Sequence, residues 1–445
     1  MNPLLLTDGY KVDHRRQYPT GTTLVYSNWT PRKSRYSDID EVVLFGLQYF
    51  IKKYILEDFE TYFFKQPKEK VVAEYSRRIN NYLGENQVGT KHIADLHDLG
   101  YIPMVIKSLP EGASVPLRVP MFTMYNTKPE FFWLTNYFET LLSAIIWMPC
   151  TSATIAKQYR TVLDRYAQET SSVPEFVQWQ GHDFSMRGMS GIEAGLTSAC
   201  GHLLSFTGTD TIPAINLLEN YYNADSDKEL IGGSVAATEH SVMCMGTTEG
   251  ELETFRRLVC DIYPKGIVSI VSDTWDLWKV LTEYLPALKN EILARDGKVV
   301  IRPDSGDPVD IICGDPHGKS DVERKGVIEL LWETFGGHTN AKGYKELAPQ
   351  IGAIYGDSIT VERAVQICER LKEKGFSSTN IVFGIGSYTY QFNTRDTFGF
   401  AMKATYGEVH GEGREIFKDP VTDDGTKKSA KGLIKIEREN DTYIL

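Results

Sequence analysis

The 445-residue chain is short of cysteine: six stand at positions 150, 200, 244, 260, 313 and 368, and none forms a C-x-x-C pair. That spacing argues against a zinc site or a disulfide framework and fits a reducing compartment. Long apolar runs are missing as well. No stretch approaches the roughly eighteen residues that a membrane span needs. The opening "MNPLLLTDGYKVDHRR" holds only three consecutive leucines before Asp8, too few for a secretory segment. A soluble, cytoplasmic protein without a membrane partner is expected. Positive charge is in deficit, with 48 Lys+Arg against 59 Asp+Glu and a net charge of −11. This disfavours a general nucleic-acid surface, so an anionic ligand has to be met by locally concentrated arginines and backbone amides.

What is present is enough chain for two or three structural units sharing a large interior. From about residue 176 onward, short β-branched runs alternate with amphipathic stretches, the rhythm of repeated βα units and a parallel sheet or barrel. The strand candidates are 176–180, 234–238, 266–272, 298–302, 351–355 and 380–384. After Asp273, the residues Leu277, Val280, Leu281, Tyr284, Leu285 and Leu288 recur at helical spacing, with Pro286 expected to kink or break the segment. Val361, Ala364, Val365, Cys368 and Leu371 draw a second stripe. The segments 314–320 and 423–432 read as mobile loops. The N-terminal part, rich in aromatic helical patches such as 131–147, lacks the βα rhythm, and the strand-like alternation after about residue 390 is expected to return to that layer. The expected division is 1–150, 151–390 and 391–445.

The strand exits carry the functional signal. They read "GHDFSMRG" (181–188), "GTDT" (208–211), "TEHS" (238–241), "SDTWD" (272–276), "RPDSGDP" (302–308), "GDS" (356–358) and "GIGS" (384–387). Taken singly, an aspartate or glycine there is a turn former or helix cap, Phe184 a core ring and His240 a structural histidine. In a parallel barrel, however, the loops after the strands converge on one face. Together, Arg187 and Arg302 offer bidentate phosphate contacts, while Gly356 and the "GIGS" turn offer backbone N–H groups. Asp304 and Asp357 suit ribose hydroxyls or a water-bridged Mg²⁺. His240, directly beside Glu239, stands where chemistry on a phosphate would be done. The inventory fits a phosphorylated sugar carrying a pyrophosphate.

In this order, "TDGYKVDHRRQYP" (7–19), "HDF..RG", "GTDT", "EHS", "VSD", "IRPDSG", "GD" and "TRD" (394–396) closely resemble the nicotinamide phosphoribosyltransferase family, type II phosphoribosyltransferases, from residue 7 to about 432. The resemblance implies a central parallel α/β barrel with an α/β sandwich layer built from both chain ends. It also implies a homodimer with active sites shared across the interface. The substrates would be nicotinamide and phosphoribosyl pyrophosphate, with Mg²⁺, and with ATP as a coupled co-substrate. Phe184, with Tyr10 of the other subunit, matches the aromatic pair around the pyridine ring. Asp210 matches the acceptor for the carboxamide, Arg187 a pyridine- and phosphate-side arginine, and Arg302 with Asp304 the pair near ring, ribose and phosphates. Gly356 and Asp357 match the ribose turn, and Arg395 and Lys403 the partner-subunit cations on the 5′-phosphate. His240 matches the histidine phosphorylated by ATP, with Glu239 or Asp273 as the acid that orients it. The sequence departs from the family at Ser387 and Tyr388, where glycines are usual, leaving Gly386 as the phosphate-turn amide, and at Ser185 and Met186. The rivals are a nicotinate-specific enzyme, which the charge of Asp210 disfavours, and a non-catalytic nucleotide-binding protein.

Overall fold

A computed structural model describes residues 1–418, 420–422 and 430–445. The expected loop 423–432 therefore falls, up to residue 429, outside the described residues. The chain forms two compact units, Met1–Thr154 with Asn220–Asn223 and Asn393–Leu445, and Ile155–Glu219 with Ala224–Phe392.

The first unit contains a five-stranded antiparallel sheet drawn from both chain ends, with Thr22–Thr30 at its centre between Phe122–Asn126 and Ala401–Val409. Trp29 is fully buried and stacks on Phe122 at 6.1 Å and on Phe400 at 5.5 Å. Flat aromatic contacts of this kind add to the area that the rings remove from water. No single helix among the described residues is long and apolar enough to cross a membrane. The pair Pro129–Tyr137 and Glu139–Thr170, bent by 42°, passes on length and composition only, and it buries Leu134, Leu142 and Ile146 inside the protein.

The second unit is the expected parallel α/β barrel. Its strands are β1 (Gly181–Asp183), β2 (Gly208–Thr209), β3 (Ala236–Ala237), β4 (Lys265–Val271), β5 (Asp296–Arg302), β6 (Ile351–Tyr355) and β7 (Ile381–Ile385). They lie in the order β2-β1-β7-β6-β5-β4-β3, every pairing parallel. The two edges meet where Gly208 bridges Gly233 just before β3, with Thr209 N–H to Gly233 O at 3.0 Å and Gly233 N–H to Thr207 O at 2.9 Å, so the sheet curls closed. Helices cover its outside. Val361–Glu373 starts at Thr360, whose side chain accepts from Arg363 N, and buries Ala364, Ile367, Cys368 and Leu371.

Two expectations about this unit change. Residues 176–180 are not a strand: Pro174 opens a helical turn running to Gln180, and the strand follows at Gly181. Pro286 acts as expected: the five residues Val280–Tyr284 just before it widen to π-helical geometry, and the run from Leu277 ends at Ala287, with Leu288 outside helical conformation. The segment 314–320 is tied down rather than loose. Asp315 N donates to Glu323 O at 2.8 Å, and Ser320 and Glu323 form a capping box. At the N-terminal ends of the strands, Asn380 joins Lys345 O and Leu347 N at 2.9 Å each, and the buried Glu346 gathers Ser172, Asn340 and His338 around it.

Candidate active site

The C-terminal ends of the strands open into a cavity of about 680 Å³ whose lining includes Phe184, Arg187, Asp210, Glu239, Arg302, Asp304 and Gly356. A second cavity of about 420 Å³ shares Phe184, Asp210 and Arg302 and follows the apolar strand faces to Lys298.

After β1, Phe184 N donates to Ile385 O at 2.9 Å, which fixes the ring against β7. Gly384 is needed there: a Cβ on it would stand 2.6 Å from Phe184 Cδ2. Its role is thus close approach rather than a simple turn. Asp183 is fully buried and ties the β1 and β2 exits together, accepting from Ser185 Oγ at 2.6 Å, Thr209 Oγ1 at 2.8 Å and Thr211 Oγ1 at 2.7 Å. Asp210 N in turn donates to Asp183 O at 3.0 Å. The Asp210 side chain accepts from His182 Nε2 at 2.8 Å and Ser234 Oγ at 2.7 Å, both on Oδ1. Burial alone would raise the Asp210 pKa, but these two hydrogen bonds, with Arg302 nearby, hold it below the usual carboxylate range.

His240 opens the helix after β3. Its Nε2 lies 3.3 Å from both oxygens of Asp304, and its Nδ1 lies 3.3 Å from Thr274 Oγ1. Neither acid expected to orient it does so. Glu239 has extended backbone and turns its carboxylate to Ser241 Oγ. Asp273 is occupied through Oδ2 by Asp304 N at 2.8 Å, Ser305 N at 2.9 Å and Ser305 Oγ at 2.6 Å. Asp304 takes the place beside the imidazole instead.

Asp273 Oδ1 is buried and has no hydrogen-bond partner, and one ligand atom each from Asp273, Asp304 and His240 lie within 4.8 Å of one another. Two carboxylate oxygens with one unfilled valence suit a hard, oxygen-preferring cation such as Mg²⁺, with phosphate and water oxygens completing its shell. Imidazole is the weaker fit.

Arg302 donates to Thr238 O. Its pKa is lowered by burial and, more weakly, by Arg187, which has no ion-pair partner among the described residues. Two neighbouring cations, one of them unpaired, are a ready anion site. After β6, Ser358 takes a left-handed φ of 54° and donates to Asp357 Oδ2 at 2.6 Å. Gly386 caps Ser387–Tyr390, and the space beside its Cα is open.

Three expected residues belong to the first unit. Tyr10 is 62% exposed, with Lys11 Nζ 5.0 Å from its ring centre. Arg395 is exposed and pairs only with Asp396, at 3.3 Å, among the described residues. Lys403 has its pKa lowered by burial and by Arg32, Lys418 and Arg395.

The sequence reading did not single out His182, Asp183, Ser234 or Thr238. A histidine beside a carboxylate at a strand end is the pattern that drew attention to His240, and His182–Asp183 meets it too.

Residues 179–443 match the nicotinate phosphoribosyltransferase (NAPRTase) family, and residues 2–106 match the nicotinamide phosphoribosyltransferase N-terminal domain. The chain is 56% identical over 457 residues to the nicotinamide phosphoribosyltransferase of Acinetobacter baylyi, spanning 100% of this chain and 90% of that protein. It is 39% identical to that of Mycoplasma pneumoniae, spanning 96% and 94%. Among solved structures, human nicotinic acid phosphoribosyltransferase superposes with a TM-score of 0.55 at 15% identity, covering 92% of this chain and 75% of that one. Nicotinate-nucleotide pyrophosphorylase from Pyrococcus furiosus does so at 0.55 and 14%, covering 98% and 81%. At these identities the structural likeness concerns the fold.

Proposed function

Because the chain belongs to the nicotinate phosphoribosyltransferase family, we propose that it is a cytoplasmic nicotinamide phosphoribosyltransferase of NAD salvage. It would convert nicotinamide and phosphoribosyl pyrophosphate to nicotinamide mononucleotide and pyrophosphate, with the catalytic domain in residues 151–390. The observation that carries the amide over the acid is Asp210, a carboxylate held ionised at the cavity. An ionised oxygen welcomes an amide N–H and repels a second carboxylate.

In this reading the pyridine ring lies on Phe184 and is covered by Tyr10 of a second copy of the chain. The ring nitrogen attacks the anomeric carbon. The C1′–O bond to pyrophosphate breaks, and the leaving group keeps the electron pair. No general base is required, because the nitrogen already carries a lone pair. Arg187 and Arg302 hold phosphate oxygens, and Asp357 holds the ribose at the Gly356 turn. The Gly356 N–H itself is spent on Pro303 O at 3.2 Å rather than offered to the ligand as expected. Gly386 offers an amide, and Arg395 and Lys403 of the second copy grip the 5′-phosphate. Catalysis is then positioning and electrostatics around an oxocarbenium-like centre. Mg²⁺, held by Asp273 and Asp304, would neutralise the leaving pyrophosphate. His240 is the acceptor for a phosphoryl group from ATP, whose transfer and hydrolysis would be coupled to turnover.

The homodimer reading draws on exposed apolar side chains of the barrel unit: Ile192 at 75%, Ile212 at 73%, Met245 at 85% and Phe392 at 79% exposure. Each is a side chain that a second copy of the chain would remove from water. Product analysis after offering nicotinamide, nicotinate and quinolinate, each with phosphoribosyl pyrophosphate and Mg²⁺, tests the reading. Only nicotinamide is expected to turn over efficiently, and a preference for nicotinate overturns it.

A further inference from the structure

We propose that His182, a residue outside the expected site set, is the positioning residue that gives the pocket its choice of amide over acid, by pinning one oxygen of Asp210 and leaving the other for the ligand. The inference rests on the functional reading above.

His182 Nε2 and Ser234 Oγ both reach Asp210 Oδ1, at 2.8 and 2.7 Å, while Oδ2 has no hydrogen-bond partner among the described residues. An ionised carboxylate only accepts, so Nε2 must carry the ring proton and donate it. Two donors on one oxygen fix the plane of the carboxylate. The residue also lines both cavities, so the unpinned oxygen is the acceptor left for a ligand.

The imidazole cannot easily turn away. The His182 side chain is 11% exposed and packs at 4.7 Å, centre to centre, against Phe184. His182 pairs in register with Gly208 of β2, and a Cβ on Gly208 would stand 2.6 Å from Nδ1. Gly208 has no left-handed φ to justify it. Its missing side chain makes room for the ring. The tripeptide His182-Asp183-Phe184 thus builds the pocket three ways: His182 orients Asp210, Asp183 ties down the Thr209 and Thr211 hydroxyls on either side of it, and Phe184 offers a ring face. Without the two donors on Oδ1, nothing on that side fixes the carboxylate plane, and Oδ2 is no longer held toward the ligand. A carboxylate free to turn presents its acceptor less well to an amide N–H, so the advantage of nicotinamide over nicotinate would fall.

The test is steady-state kinetics of the full-length enzyme with nicotinamide and with nicotinate. His182→Phe keeps a ring and removes the donor, His182→Gln restores an N–H at similar reach, and Gly208→Ala displaces the ring while leaving both partners in place. For His182→Phe the expected result is a roughly tenfold rise in KM for nicotinamide, as for one lost charge-assisted hydrogen bond. The kcat and the KM for phosphoribosyl pyrophosphate stay near wild type, and the nicotinamide-to-nicotinate ratio of kcat/KM falls about tenfold. Gly208→Ala should follow His182→Phe, and His182→Gln should recover most of the wild-type selectivity.

Unchanged KM and selectivity in His182→Phe, or equal damage in the glutamine and phenylalanine variants, overturns the proposal. So does a loss of kcat accompanied by a changed KM for phosphoribosyl pyrophosphate. Should the phenylalanine variant not fold, the glutamine and Gly208 variants decide. A wild type that prefers nicotinate defeats the functional reading itself. A wild type that prefers nicotinamide, loses that preference in Asp210→Asn and keeps it in His182→Phe defeats only this inference.

Discussion

At the N-terminal ends of the barrel strands Glu346 is saturated, taking Ser172 N at 2.7 Å, Ser172 Oγ at 2.6 Å and Asn340 Nδ2 at 2.8 Å, with His338 at 3.1 Å. At the C-terminal ends, Asp210 and Asp273 crowd their hydrogen bonds onto one oxygen and leave the other bare. Both ends contain carboxylates beside histidines. A buried polar group with every valence filled is scaffold, because its desolvation is offset inside the protein. One with a valence left over is offset only when a ligand arrives. Between these two sets of carboxylates, the unfilled oxygen is the difference, more than the residue type.

That contrast can be broken most directly by matched substitutions. Asp304→Asn should lower kcat roughly a hundredfold, as for loss of one preorganised electrostatic contact, while Tm in a thermal scan barely moves. Glu346→Ala should do the reverse, costing on the order of 3 kcal/mol of stability through several stranded donors, with near-normal kcat per folded molecule. Equal effects on stability and turnover in both variants would erase the distinction. Asp210→Asn should weaken nicotinamide use by on the order of 2 kcal/mol, read as a fall in kcat/KM that relatively favours nicotinate.

Glu251 limits the comparison, because it has a bare carboxylate oxygen elsewhere in the barrel unit. It is 1% exposed with Oε1 unpartnered, and burial pushes its pKa up to about 7. A carboxyl raised in the folded state stabilises the protein most below its ordinary pKa, and that contribution is lost as pH rises through 7. Glu251→Gln should therefore raise Tm by a few degrees at pH 8 and by almost nothing at pH 4, with kcat unchanged. The smallest effect belongs to Lys298, the misfit of the saturated end, whose pKa burial lowers and which has no ion-pair partner among the described residues. Lys298→Met should leave Tm equal or slightly higher.

The barrel and its mouth were legible because β-branched runs and polar exits alternate as βα units do. What escaped was the first strand. Its three residues are Gly181, His182 and Asp183, all buried, and their burial rests on hydrogen bonds rather than on apolar area, so hydropathy points instead to the neighbouring "FVQWQ". The orientation of His240 escaped for a related reason. Adjacency in sequence suggested Glu239, whereas the acid that faces the ring comes from β5, beyond the reach of any local pattern.

The strand order has a consequence in time. Residues 181–183 lie between residues 208–209 and residues 383–385, so the first barrel strand pairs with the last. Contacts so distant in sequence close late, because the entropy of the intervening loop must be overcome before they form. Phe184 is seated through Ile385 O, so a chain still emerging from the ribosome, with that strand unmade, holds the proposed site residues up to Asp357 without a seat for the Phe184 ring. On the proposed reading, a ring bound on Phe184 would therefore report that the first and last barrel strands have paired, and would act as a clasp across that seam.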